Sequence, residues 1–307
     1  MTSMSLEQPS PVAPPPDPAL DEDLVRRLVA ERFPRWAGLP VERWPSGGTV
    51  NAMYRLGDEL VVRLPLGQGG AEDVAREREW LPRLAPHLPA RVPEVLGEGA
   101  PALGFPWPWS VYGWLAGEHP VAGALSEPSA LAEDLAAFVT ATWSITLPAG
   151  PRAHRGGPVT ALDAETRAAI EALRGLPQEG IDCDAATAVW EETMRTPGPD
   201  GRPVWLHADL MPGNLLVDDG GRLASVIDFG CAGVGDPACD LFPAWNLLPA
   251  DAREVFRVAL AVDDATWARG RGRTLSQALI ALPHYRETNQ AMAGNARHVI
   301  RAVLDEG

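Results

Sequence analysis

The apolar positions of this chain change their period along its length, and the changes divide it. From about residue 19 to 37, "ALDEDLVRRLVAERFPRWA" sets Leu20, Leu24, Leu28 and Val29 on one face at helical spacing, with acidic residues in the first turn, and predicts a helix. Next, "VERWPSGGTVNAMYRLGDELVVRLP" reads as strand, glycine turn, strand, "GD" turn and strand. "GQGG" reads as a break, "AEDVAREREWLPRLA" as a helix, and "VPEVLG" and "SVYGWLAG" as two more strands.

After about residue 116 helical spacing takes over. "PSALAEDLAAFVTATWSIT" aligns Leu131, Leu135, Phe138 and Val139, and residues 160–176 and 184–195 also predict helices. Two short apolar strands around a turn, "NLLVDDGGRLASVIDFG", interrupt this pattern, and beyond residue 240 the chain reads as helical to its end. The pattern predicts an α+β fold of two lobes: a small sheet-rich N-lobe over 19–115 and a larger helical C-lobe over 116–307. Residues 1–18, "MTSMSLEQPSPVAPPPDP", have the proline and small polar residues of a disordered tail and lack the apolar core of a signal peptide. No apolar run approaches the roughly 18 residues of a membrane span.

Composition narrows the function classes. With 307 residues and 46% apolar content, the chain can bury a sizeable core. A balance of 26 basic against 41 acidic residues, net −15, argues against nucleic acid as a partner and is compatible with a cationic small molecule. Cys183, Cys231 and Cys239 are odd in number and widely spaced, which suits a reducing cytoplasm and gives no zinc or disulfide framework. The sequence contains no lysine, which excludes a Walker A loop, a Schiff-base enzyme and an S-x-x-K acylase.

The strongest chemical signal is "VWLHADLMPGNLLVDDGGRLASVIDFG", residues 204–230. His207, Asp209 and Asn214, followed after a hairpin by Asp228-Phe229-Gly230, have the spacing of the kinase set H-R-D-L-x-x-x-N and D-F-G. Phosphoryl transfer needs a carboxylate beside the acceptor hydroxyl and oxygen ligands that hold Mg²⁺ against the phosphates. Asp209 is the candidate for the first task, as catalytic base, and Asn214 and Asp228 are the metal-ligand candidates.

With "LHADLMPGNLLV", "VIDFG", "GDPACDL", "SGGTVNAMYRL", "VVRLP", "REREWLPRLAP" and "PWPWSVYGWLAGE", the sequence resembles the aminoglycoside phosphotransferase family, small-molecule kinases of the protein-kinase-like fold. The resemblance covers most of the chain from about residue 20. It implies ATP or GTP as co-substrate and Mg²⁺ as cofactor. It implies that the turn Ser46, Gly47, Gly48 and Thr49 covers the phosphates and that Arg63 does the work of the family's phosphate-binding cation. It gives Arg63 a partner in Glu77, with Glu79 as the alternative, and lets the backbone of Gly113 and Leu115 read the base edge. Trp109, Tyr112 and Trp114 are open between lining that pocket and simple core, and Asp236 or Asp240 is expected to brace the catalytic loop. The nominal acceptor is an aminoglycoside or related antibiotic, which would make the chain an antibiotic-resistance enzyme. A metabolic alcohol and a nucleotide-binding pseudoenzyme are the alternative readings. The role of His154 to Pro158, "HRGGP", is left open between a loop at the site and an inert turn.

Overall fold

The computed structural model describes residues 20–45, 50–148 and 150–306. The tail expected at 1–18 and the turn Ser46, Gly47, Gly48 and Thr49 lie outside the described residues. The chain divides into two compact units, one formed by residues up to 83 and 93–114, the other by 84–92 and everything from 115 on.

In the first unit, α1 (Glu22–Arg32) starts at Asp21, whose side chain accepts from the Leu24 N–H at 2.8 Å. It ends earlier than the apolar pattern suggests, because Pro34 restricts Phe33 to non-helical backbone. The strands β1 (Val41–Trp44), β2 (Asn51–Leu56) and β3 (Leu60–Pro65) form an antiparallel meander. They are followed by α2 (Gln68–Leu84), β4 (Val95–Gly99) and β5 (Trp109–Gly113), which complete a sheet of order β1-β2-β3-β5-β4. The core of this unit joins Leu24, Val25, Leu28 and Val29 of α1 to Tyr54, Leu56, Val62, Leu64, Trp109 and Val111 of the sheet. "GQGG" does not break the chain: α2 begins at Gln68 and takes both glycines into its first turns. Gly70 is there for contact, since a Cβ on it would lie 2.7 Å from the Val50 carbonyl oxygen, whereas a Cβ on Gly69 would meet nothing within 4 Å.

The second unit contains α3 (Pro128–Trp143), α4 (Asp163–Arg174), α5 (Cys183–Arg195), β6 (Val204–Leu206), β7 (Leu215–Val217), β8 (Leu223–Val226) and β9 (Gly233–Gly235). Then come α6 (Pro243–Asn246), α7 (Ala250–Leu260), α8 (Asp264–Tyr285) and α9 (Gln290–Leu304). Helix α8 packs against α4, α5, α9 and the short helical turn 237–241. Fully buried Trp190, Trp205, Trp245, Phe138 and Phe256 supply much of the apolar mass of this unit. Two small antiparallel ladders, β6 with β9 and β7 with β8, sit among these helices. Of them, the β6–β9 ladder has no counterpart in the sequence expectations. Among the described residues, no helix is long and apolar enough to cross a membrane.

Candidate active site

In the second unit the site is a loop, 207–214, strung from the end of β6 to the start of β7. Ladders this short leave most of the loop's polar backbone to be satisfied by other groups. Asp240 meets that need at the start: its Oδ2 accepts from the His207 N–H at 3.1 Å and its Oδ1 from the Ala208 N–H at 2.7 Å. Ala208 takes a left-handed conformation, φ 64°, which turns the chain so that Asp209 follows. Farther along, the Asn246 amide donates to the Leu210 carbonyl at 3.2 Å.

Asn214 closes the loop on Asp209. Its Nδ2 donates to the Asp209 backbone carbonyl at 2.8 Å and to Oδ2 of the Asp209 carboxylate at 3.0 Å. With the amide nitrogen so used, Oδ1 of Asn214 is the atom left to serve as a metal ligand. The Asn214 carbonyl in turn accepts from the Ile227 N–H at 2.9 Å, extending the β7–β8 ladder by one step toward Asp228. Asp228 itself is left-handed, φ 63° and ψ 71°, a second bend at the end of the same ladder.

His207 ties the two bends together. Its imidazole is buried, its Nδ1 accepts from the Asp209 N–H at 3.2 Å, and its Nε2 donates to the Ile227 carbonyl at 3.1 Å. Only the neutral ring with its proton on Nε2 satisfies both contacts. Burial pushes the imidazole down to about 4, which keeps it in that form. Phe229 packs edge-on against the ring at 4.6 Å. Burial drives the Asp240 carboxyl the other way, up to about 7, against the two backbone donors that favour its charge.

The two braces left open by the sequence have different tasks. Asp240 holds the loop. Asp236 caps the 237–241 turn through the Ala238 N–H, 3.0 Å, and forms a buried ion pair with Arg269 through both oxygens, at 3.1 and 3.3 Å. The "HRGGP" segment lies at the site: Arg155 forms an ion pair with Oδ1 of Asp209. Sequence reasoning missed Arg155, Asn246, Arg269 and Arg273. The signal available for the last two was their spacing of four on a helix whose matching face is buried.

In the first unit, Arg63 projects from β3 and its Nη1 donates to both carboxylate oxygens of Glu77 on α2, each at 2.9 Å. The Tyr112 hydroxyl donates to Glu77 Oε2 at 2.5 Å. Glu77 is 1% exposed and Arg63 6%, so this is a buried cluster. Burial and the neighbouring Glu77 carboxylate hold the Tyr112 hydroxyl well above its ordinary range. Glu79, the alternative partner, lies at the surface and faces Arg83 at 3.9 Å. Trp109 and Tyr112 belong to the buried interior, whereas Trp114 stacks edge-on against Trp44 under the Arg55 guanidinium. Gly113 donates its N–H to the Glu94 carbonyl at 3.1 Å, and Leu115 opens the second unit.

Asn214 and Asp228 offer an amide oxygen and a carboxylate. Both are hard donors, and this sparse set fits Mg²⁺, which takes few ligands from protein and the rest from phosphate and water. Among the described residues, no group of three or more His, Cys, Asp and Glu is placed to hold a metal alone.

Comparison with known proteins gives a family and a fold. A model of the phosphotransferase enzyme family (APH) matches residues 43–273. No curated protein matches the chain. Among solved structures, the GDP and kanamycin complex of APH(2")-IIia is 20% identical, with a TM-score of 0.70 over 92% of this chain and 99% of that one. ADP-bound aminoglycoside phosphotransferase APH(2'')-Ib is 15% identical, TM-score 0.60, over 93% and 99%. Macrolide 2'-phosphotransferase MphH from Brachybacterium faecium is 21% identical, TM-score 0.60, over 91% and 97%. These likenesses show a shared kinase-like α+β fold.

Proposed function

The chain belongs to the phosphotransferase enzyme family, and we propose that it is a Mg²⁺-dependent kinase that moves the γ-phosphoryl group of ATP or GTP to a hydroxyl of a small polar molecule. One observation carries this reading: Asn214 is hydrogen-bonded to the Asp209 carboxylate and, through its carbonyl, to the N–H of Ile227, the residue before Asp228. Three residues that sequence spacing singled out for one reaction are thereby held in one place.

In this reading Asp209 accepts the proton of the acceptor hydroxyl, whose oxygen bonds to the γ-phosphorus as the bond to the β–γ bridging oxygen breaks. A nucleoside diphosphate and a phosphate monoester leave. Asn214 and Asp228 would hold Mg²⁺, which when bound neutralises charge on the phosphate oxygens. Asn214 also fixes the angle of the Asp209 carboxylate. In the first unit, Arg63 grips phosphate oxygens with Glu77 and Tyr112 setting its orientation. With the Gly113 N–H committed to Glu94, base reading there falls to the Gly113 carbonyl and to Leu115. Cys183, Cys231 and Cys239 form no disulfide among the described residues, which suits work in the cytoplasm.

The related structures named for kanamycin, gentamicin and macrolide chemistry mark where the acceptor search begins. The test is nucleotide consumption with Mg²⁺ across aminoglycosides, macrolides and metabolic alcohols. Acceptor-stimulated turnover is expected, and Asp209→Asn should lower it by about a thousandfold while leaving nucleotide binding nearly intact. Turnover close to wild type in Asp209→Asn would remove Asp209 from the base role. Nucleotide binding without turnover on any acceptor would favour a pseudoenzyme.

A further inference from the structure

We propose that Arg155 is a specificity residue that turns the acceptor site against polycations, so that the substrate is a hydroxyl compound with neutral or acidic groups flanking the reactive oxygen. The inference rests on the kinase reading and narrows its acceptor class.

The segment that carries Arg155 is built into the fold. Residues 151–153 run along β9 through Ala153 N–H to the Val234 carbonyl, 3.0 Å, and Val234 N–H to the Pro151 carbonyl, 2.8 Å, and His154 N–H donates to the carbonyl of Cys231 in the turn before β9, 3.1 Å. The approach is so close that a Cβ on Gly233 would lie 2.5 Å from the Ala153 nitrogen. From the other side, Arg273 Nη1 donates to the Arg155 carbonyl at 2.9 Å, the Cys239 thiol donates to the same oxygen at 3.0 Å, and Arg273 also reaches the Gly157 carbonyl. The backbone of Arg155 is thus fixed, and its half-buried guanidinium meets Oδ1 of Asp209.

Both oxygens of that carboxylate are therefore engaged, Oδ1 by Arg155 and Oδ2 by Asn214. The Asn214 bond belongs to the loop itself. An acceptor hydroxyl that reaches Asp209 must share or displace the hold of Arg155, and it arrives beside a planar guanidinium cation. Ammonium groups next to the reactive hydroxyl would meet this like charge at contact range. Neutral oxygens or a carboxylate would accept hydrogen bonds from it. The chain's net charge of −15 draws cations from a distance, but beyond about 8 Å that pull is screened at physiological salt, and contact charge decides.

Calorimetric titration with two probes of similar size tests this: kanamycin as the polycation and maltotriose as the neutral polyol, against wild type, Arg155→Gln and Arg155→Lys. Kanamycin should bind Arg155→Gln about tenfold more tightly than wild type at low salt. Arg155→Lys should behave as wild type, and maltotriose should gain nothing from Arg155→Gln. Kanamycin affinity that Arg155→Gln leaves unchanged, absence of binding included, would overturn the proposal. So would an equal gain for both probes, since that reports space and not charge. Binding reads the acceptor face alone, so a protein that passes this test yet consumes no nucleotide loses the kinase reading separately.

Discussion

The acidic residues buried in the two units hold different things. In the first unit Glu77 holds side chains: Arg63 and Tyr112 both donate to its carboxylate. In the second unit the buried acids hold backbone. Asp240 takes two successive N–H groups of the loop, and Asp236 takes the Ala238 N–H while anchoring Arg269. The arginines around Asp236 continue the pattern, Arg269 to the Pro197 carbonyl and Arg273 to those of Arg155 and Gly157. The difference follows from where each site is built. Arg63 stands on β3, between β2 and β5 in a five-stranded sheet whose ladders already fix its backbone, so the acid has only a side chain to aim. Loop 207–214 hangs between three-residue strands, and buried carboxylates stand in for the missing ladder. A buried arginine–carboxylate pair is therefore no guide to function until the destination of its other donors is known.

The largest expected effect breaks the second unit's arrangement. Asp236→Asn keeps a side-chain oxygen to cap the 237–241 turn but removes the charge that offsets Arg269, which is 2% exposed, and Arg273, 4% exposed. Loss of one partner of a buried pair costs about 3–5 kcal/mol. Urea unfolding should show that loss, and a change below about 1 kcal/mol would mean that these acids hold nothing by charge.

Acid titration sharpens the comparison, because the second unit's loop also hangs on an uncharged imidazole. His207 is held at about 4 in the folded chain against an ordinary 6.5. The unfolded chain therefore takes up the proton first, and this group's contribution is intact above pH 6.5 and lost as pH falls toward 4. The loss amounts to about 3 kcal/mol. Asp240, raised to about 7 from 3.8, works in the opposite sense and favours the folded chain below its own range. The two nearly cancel in wild type, so the measurement is a difference. His207→Asn keeps an acceptor for the Asp209 N–H and does not titrate, and its stability deficit relative to wild type should shrink by about 3 kcal/mol between pH 7 and pH 4. A constant deficit would place the imidazole outside this linkage.

In the first unit the same logic gives an effect on nucleotide use. Arg63→Ala should weaken nucleotide binding by roughly thirtyfold, about 2 kcal/mol, the range of a charge-assisted hydrogen bond. Arg63→Lys keeps the charge and should retain most of the affinity. Equal and small effects of both, read by Mg²⁺-nucleotide titration, would return Arg63 to an ordinary structural role and erase the contrast between the units.

Sequence reading reached the first unit's logic more easily than the second's. The strands β2 and β3 were legible because local alternation defines them, and the pairing of Arg63 with Glu77 because the family resemblance implied it. The start of α2 was not, since "GQGG" reads as a break and the approach of the Val50 carbonyl to Gly70 is visible only in the fold. In the second unit the motif announced Asp209, Asn214 and Asp228, but not how they are held. The strands β6 and β9, "VWL" and "GVG", are too short to carry a period. Arg155 is separated by 54 positions from Asp209 and reaches it only because its segment runs along β9. Asp236 and Asp240 look alike in "GDPACDL", and only the direction of their carboxylates separates a cap from a brace.

The smallest effect tests what the Asp240 brace restrains. Ala208 is fully buried at φ 64°, a conformation that costs an L-residue roughly 1–2 kcal/mol relative to glycine. The bonds from His207 and Ala208 to Asp240 offset that strain and keep the bend in place. Ala208→Gly removes the strain but adds freedom to the unfolded chain, so the net gain in stability should be no more than about 1 kcal/mol. The informative comparison is with the Asp240→Asn background, where an amide can accept from only one of the two N–H groups if its nitrogen faces the other. With the brace weakened, relief of strain should matter more, and Ala208→Gly should recover part of the stability that Asp240→Asn loses. Equal effects of Ala208→Gly in both backgrounds would mean that the bend is set by packing around Ala208. The second unit's acids would then be fastening a backbone already shaped by its neighbours, much as the sheet shapes the backbone beneath Arg63.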